Sequence, residues 1–267
     1  EAKDLLVIGD EVLISDFANN RVAIFDRTNG PHIDDLTGGL LEPDGMATNA
    51  AGELLVVSRG NNSVERFDVQ SRTHLGTLIG SGEGGLLDPH AILVLSDGHI
   101  LVSTDEDAVL EFTGGGAFVQ ELISPSSVGL AWIRGMAERP SGTILITSSK
   151  NNAILEFDRD TGDPLGRWDR GGLEEGYWGL GRPWSIRIGP DGDVYVSTFE
   201  ANTAVQVYEE STGLFKRRYY ILSQLIPGPT GFDFAPPDDD DCDGNLILDT
   251  CDIADGTHAD SNGNGIP

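Results

Sequence analysis

The feature that most constrains the fold is a repeat. Gly52-Glu53-Leu54-Leu55-Val56-Val57-Ser58 passes through Asn61-Asn62 into Val64-Glu65-Arg66-Phe67-Asp68. Each arm alternates apolar and polar residues, and the turn carries residues that tolerate positive φ, which reads as a β-hairpin. The unit returns four more times. Val12-Leu13-Ile14-Ser15 leads through Asn19-Asn20 to Val22–Asp26, and Ile100–Ser103 through Glu106-Asp107 to Val109–Phe112. Ile144–Thr147 leads through Asn151-Asn152 to Ile154–Asp158, and Val194–Ser197 through Ala201-Asn202 to Val205–Tyr208. Turn positions 20, 62, 107, 152 and 202 are 42, 45, 45 and 50 residues apart. A period of this length built only from strand signals means small sheets arranged radially, each covering the next, because one such sheet cannot bury both its faces alone. The expected fold is an all-β propeller.

Further signals fix the blades. Leu5-Leu6-Val7-Ile8 reads as a first inner strand and Gly45-Met46-Ala47-Thr48 as a second, made of small residues where strands crowd an axis. Gly52, Gly98, Gly142 and Gly192 stand between inner and second strands, where the turn needs a left-handed backbone. Longer loops (37–43, 80–89, 124–132, 171–183) lead to the next inner strand. Pro43, Pro89 and Pro183 sit at strand mouths, where a missing donor costs no ladder bond. Five four-stranded sets are readable. Thr230–Pro236 then repeats the inner-strand pattern once and stops. It is either a strand packed at the closure of a five-bladed ring or the start of a partial sixth blade, and we favour five full blades with an incomplete sixth.

In register, these residues form the pattern Leu-x-x-Pro-x-Gly, then Asp-Gly-x-(Val/Ile/Leu)-x-Val-(Ser/Thr), then Asn-Asn-x-(Val/Ile)-x-x-Phe-Asp. This resembles NHL-type repeats and covers residues 1 to about 236. The resemblance implies four antiparallel strands per blade.

With 17 basic against 44 acidic residues the net charge is −27, so nucleic acid is excluded as a partner. No apolar run is long enough to insert in a membrane. No signal peptide is visible before Glu1, and a removed leader stays open. Acid concentrates from Asp238 onward, giving two expected domains, a propeller over 1–236 and an Asp-rich tail over 237–267. Counted from Asp241, oxygen side chains fall at positions 1, 3, 5, 9 and 12: Asp241, Asp243, Asn245, Asp249 and Asp252. That is the spacing of a calcium loop, and hard oxygen donors without histidine select Ca²⁺. A second copy begins with Asp260, Asn262 and Asn264, 19 residues on. Its later ligands would come from further chain or from elsewhere. Leu246 replaces the usual glycine of the first loop, and Asp252 the usual glutamate. Cys242 and Cys251, the only cysteines, lie close together in this core-poor stretch and are expected to form a disulfide, which places the chain in an oxidising compartment. The tail resembles the calcium-binding Asp/Asn repeats of dockerins and thrombospondin type 3 segments, and the role this implies is structural.

Loops and Asn turns share one propeller face. Inner-strand mouths there carry Asp44, His90, Arg134, Trp184 and Thr230. The ligand-site residues expected are Asp44, His90, Arg134 and Trp184, with Trp132, Tyr177 and Trp178 as further aromatic surface. His90 beside Pro89 reads as a loop residue without catalytic duty. No Gly-x-Ser-x-Gly elbow, phosphate loop or Cys nucleophile is present. The expectation is a secreted or cell-surface binding or scaffold protein. It would take a protein or glycan ligand on its loop face and attach or self-assemble through a Ca²⁺-stiffened tail, as an oligomer, filament or surface layer. The alternative is an enzyme of the lactonase or lyase type, which some NHL-like propellers are, with a metal held by three or more mouth residues.

Overall fold

The structure is a computed structural model and describes residues 1–125, 129–170, 179–199, 204–220 and 230–234. Glu1–Asp233 forms one compact unit. It contains five four-stranded antiparallel sheets, each ordered as its strands follow in the chain. Blade 1 comprises β1 (Ala2–Ile8), β2 (Glu11–Asp16), β3 (Arg21–Asp26) and β4 (His32–Leu36). Blade 2 comprises β5 (Pro43–Thr48), β6 (Leu54–Ser58), β7 (Ser63–Asp68) and β8 (Thr73–Ile79). Blade 3 comprises β9 (Pro89–Val94), β10 (Ile100–Thr104), β11 (Val109–Phe112) and β12 (Phe118–Ile123). Blade 4 comprises β13 (Ile133–Glu138), β14 (Thr143–Ser148), β15 (Ala153–Asp158) and β16 (Pro164–Arg167). Blade 5 comprises β17 (Pro183–Ile188), β18 (Val194–Thr198), β19 (Ala204–Tyr208) and β20 (Phe215–Tyr220). Among the described residues the only helical pieces are short 3-10 turns. The turn glycines Gly52, Gly98, Gly142 and Gly192 all adopt positive φ, from +79° to +87°.

The repeat motifs have local jobs. The inner strand is bulged near its start: Pro43 pairs with Ser58, but the next pairs are Met46 with Val56 and Ala47 with Leu55. β1, β13 and β17 shift in the same way. A bulge strands a backbone N–H, and the hydroxyl of the second strand's Ser/Thr takes it. Asp4 N donates to Ser15 Oγ at 2.8 Å, Gly135 N to Thr147 Oγ1 at 2.9 Å and Ser185 N to Ser197 Oγ at 3.0 Å.

The Asn turn reaches farther than a hairpin needs. Asn20, Asn62, Asp107 and Asn152 all have positive φ, and each side-chain oxygen accepts from the residue just before the next blade's inner strand. The donors are Glu42 N at 2.8 Å, Asp88 N at 2.6 Å, Trp132 N at 2.6 Å and Arg182 N at 2.8 Å. These donors also have positive φ, between +45° and +60°. The turn of one blade therefore latches the mouth of the next.

Apolar seams join consecutive blades. Leu6, Leu13 and Ile24 meet Met46, Leu54 and Phe67 between blades 1 and 2. Leu55 and Val57 meet Ile100, Val102 and Phe112 between blades 2 and 3. Leu101 and Val109 meet Ile144, Ile146 and Phe157 between blades 3 and 4, and Leu145 and Ile154 meet Val194, Val196 and Tyr208 between blades 4 and 5. Second strands with a blade on each side are covered on both faces: all five residues of β6 are buried, as are all five of β10. In β2 only Leu13 and Ser15 are buried.

The described residues form no apolar seam between blades 5 and 1. Thr230–Asp233 lies there in the place of a sixth inner strand. Val7 N donates to Asp233 Oδ2 at 2.9 Å, Thr230 Oγ1 to Ala2 O at 2.9 Å and Arg187 Nε to Phe232 O at 3.3 Å. A β-carbon on Gly231 would come within 2.5 Å of Leu5 N. Gly45 approaches His90 O, and Gly135 approaches Trp184 O, in the same way, each at 2.6 Å. Arg187 of β17 also reaches Asp4 of β1, Nη2 to Oδ1 at 3.4 Å. The ring thus holds five full blades and one further inner segment, and the contacts of the described residues at this junction are polar. The expected calcium ligands (Asp241, Asp243, Asn245, Asp249, Asp252, Asp260, Asn262, Asn264) lie outside the described residues, as do Cys242, Cys251, Tyr177, Trp178 and Asn202.

Candidate functional site at the channel mouth

The bulge that starts each inner strand places its second residue at the channel mouth. The positions in register are Lys3, Asp44, His90, Arg134, Trp184 and Thr230. Lys3, Asp44, Arg134, Trp184 and Thr230 line one cavity there, together with Asp4 and Arg187. His90 stands beside them, its Nδ1 2.8 Å from Asp44 Oδ2. The four expected ligand-site residues are therefore brought together. The cavity there holds about 20 Å³, room for a water molecule.

His90 differs from the expectation of a loop residue. Pro89 opens β9, so His90 is the strand's second residue and is 3% exposed. Its Nε2 lies 3.2 Å from Asp105 Oδ1. The tautomer decides which of the two carboxylates receives the ring's N–H. Asp44 is buried, whereas Asp105 is half exposed and opens to the mouth.

Two further repeat positions surround this ring. Residues just after the second strands are Phe17, Arg59, Asp105, Ser149 and Phe199. The latched residues before the inner strands are Glu42, Asp88, Trp132 and Arg182. Arg59 binds both oxygens of Asp88, Nη2 to Oδ2 at 2.9 Å and Nε to Oδ1, and holds its carboxyl below the usual carboxylate range. Asp88, His90 and Asp105 place one ligand atom each within 4.8 Å of one another, a spacing that suits a cation. Lys3 bonds Glu1 at 2.9 Å and lies 4.8 Å over Phe17. Arg134 donates to Ile133 O at 3.0 Å, and its guanidinium lies 5.3 Å over Trp184. Burial lowers its pKa, against the pull of Asp44 and Asp105. Trp184 packs on Phe199, ring centroids 5.6 Å apart. Trp132 is 38% exposed and lies against both Lys150 and Arg182, 5.6 and 5.4 Å from its ring.

Lys3, Arg59, Asp88 and Asp105 were not among the expected site residues. Aligning the repeats column by column is the signal that finds them, since each occupies a column whose other members already face the mouth.

No family model matches the chain, and no curated protein matches it. Solved structures do. A protein assigned as a gluconolactonase aligns with TM-score 0.70 at 18% identity, over 88% of this chain and 82% of that one. Virginiamycin B lyase from Staphylococcus aureus aligns with TM-score 0.59 at 14% identity, over 86% and 73%. A chain of the nidogen–laminin complex aligns with TM-score 0.65 at 13% identity, over 82% and 80%. At these identities the likeness establishes the propeller fold, and two of these three structures are described as enzymes.

Proposed function

We propose that this chain is a binding propeller that recognises a protein or glycan ligand on its mouth face, and that it acts outside the cell or at its surface. The observation that carries this reading is the arrangement of the mouth. Asp44, His90, Arg134 and Trp184 converge around a cavity of about 20 Å³, room for a water molecule, so the ligand is placed on the face rather than inside the ring. The test is a binding screen against panels of saccharides and peptides. Replacing Arg134 by Gln together with Trp184 by Ala is expected to weaken any ligand found at least about tenfold, through loss of a central Arg and an aromatic anchor. Undiminished binding by a folded double variant defeats the reading.

The tail is proposed to bind Ca²⁺ through Asp241, Asp243, Asn245, Asp249 and Asp252, with Asp260, Asn262 and Asn264 beginning a second loop, and to serve attachment or self-assembly. The oxygen spacing and the Cys242–Cys251 pair support this. A second reading, a lactonase- or lyase-type enzyme, is favoured by the Asp88–His90–Asp105 cluster. It ranks lower because Arg59 already takes both oxygens of Asp88. One set of measurements separates the two. Calcium bound by the whole chain should fall sharply in the Asp241→Asn/Asp243→Asn variant, and sedimentation should show larger species in calcium than in chelator. An ion that survives those substitutions but leaves with His90→Ala decides for the enzyme.

A further inference from the structure

Most cations of this chain face a carboxylate: Arg21 faces Asp16, Arg59 faces Asp88, Arg139 faces Glu210, and Lys216 faces Asp193. With 44 acidic residues against 17 basic ones, such pairing is the default. Arg134 and Lys150, two cations of the mouth face, lie instead against aromatic rings. Apart from Ile133 O, Arg134 contacts the Trp184 ring. The Lys150 ammonium contacts the Trp132 ring. An indole face steadies a cation without cancelling its charge, as a carboxylate would. Both cations belong to blade 4 and lie on the mouth face. Beside them Trp132 is exposed at a φ of +60°, where a bulky side chain is strained, and Asp107 Oδ1 ties its N–H at 2.6 Å.

The mouth is therefore polarised. Its blade 2 and 3 side carries Asp44, Asp88 and Asp105, the last half exposed with room to accept. Its blade 4 side carries two cations on aromatic supports, Arg134 within the pull of Asp44 and Asp105 but in contact with neither. A phosphate of charge near −2 would be repelled by Asp44 and Asp105. A singly charged carboxylate on a hydroxylated ring meets both halves: the carboxylate faces Arg134 or Lys150, and the hydroxyls donate to Asp105.

Resting on the mouth reading above, we propose that the ligand is a saccharide bearing uronate carboxylates, bound by Arg134 and Lys150 with Asp105 accepting from its hydroxyls. The test is calorimetric titration of the full chain with an oligogalacturonate, with its fully methyl-esterified form and with free galacturonate. The acidic oligosaccharide is expected to bind at least about tenfold more tightly than the ester. Its affinity should fall as salt rises, and Arg134→Gln and Lys150→Gln should each weaken it about tenfold. Tight binding of free galacturonate assigns the site to a single sugar acid, and binding of the oligomer alone assigns it to a polymer. Lys150 is exposed, so its substitution tests the proposal even if the Arg134 variant fails to fold. Equal affinity for acid and ester overturns the proposal, as does absence of binding by both acidic forms. If a neutral saccharide or a peptide binds instead and loses affinity in the Arg134→Gln/Trp184→Ala protein, the mouth reading stands and the charge assignment falls. If the oligogalacturonate binds and every mouth substitution leaves it unchanged, both fall.

Discussion

Replacing Arg187 by methionine is expected to cost about 1–3 kcal/mol at neutral pH, the penalty for leaving a partly buried carboxylate and a carbonyl without their charged donor, and much less in mild acid. Arg187 reaches Asp4 across the polar junction, with Nη2 3.4 Å from Oδ1, and donates to Phe232 O at 3.3 Å. Asp4 also accepts from Met46 N at 2.9 Å, so it ties blade 1 to blade 2. Burial pushes the Asp4 carboxyl above its ordinary pKa, with Arg187 opposing. A raised carboxyl favours the fold in its neutral form. Its contribution is present below the unfolded value, about 3.9, and is lost as pH rises through the folded one. Without Arg187 the ionised Asp4 has no cation, so the variant's deficit opens as Asp4 loses its proton and closes as it regains it. Carboxyls held low by partners, such as Asp88 and Asp97, lose their contribution as pH falls. They do so in both proteins and cancel in the difference. Urea unfolding of parent and variant at about pH 7 and about pH 4 measures this. A deficit that stays the same at both would refute a closure built on this pair.

The second large effect compares two glycines in one repeat position. Gly162, between β15 and β16, has a φ of +70°, and a β-carbon there would fall 1.8 Å from Leu122 O of blade 3. Gly116 and Gly213 approach Leu78 O and Trp168 O of their preceding blades at 2.1 and 2.0 Å. Gly30, in the same turn of blade 1, has a φ of +74° and no atom within 4 Å of such a carbon. Alanine at Gly30 should therefore cost about 1–2 kcal/mol for the left-handed backbone alone. Alanine at Gly162 adds the displacement of a neighbouring blade, about 1–3 kcal/mol more. Thermal or urea melts of the two variants separate these contributions. Equal losses would mean that blade 1 has an outer neighbour as close as the one Leu122 provides.

Much of this fold is legible in the chain, because period-two alternation recurs at a nearly constant interval and each copy confirms the others. The sixth inner position was legible too, from Thr230-Gly231-Phe232-Asp233. The latching role of Asn20, Asn62 and Asn152 was not. A residue that tolerates positive φ already accounts for asparagine in a hairpin, and the N–H it binds lies more than twenty residues on. Of the mouth, Asp44, His90, Arg134 and Trp184 follow from strand register. Lys3 precedes the apolar run that marks β1, and Arg59 and Asp105 follow the runs that mark β6 and β10, so apolar alternation passes over them and only the alignment of one repeat on another picks them out. The loop reading of His90 fails because Pro89 is not the last residue before the strand but its first, which makes His90 the second.

The polar junction also bears on how the chain is made. Each apolar seam joins a blade to the one synthesised just before it, and each latch runs forward from a finished turn to the next strand. A chain emerging from the ribosome can thus complete every seam in order, each blade docking on a surface that is already in place. One step escapes this sequence. Residues 230–233 must meet Ala2, Leu5 and Val7 across more than two hundred residues, a long loop to close. The contacts the described residues make there are hydrogen bonds and an ion pair, which form only once both ends of the chain are present.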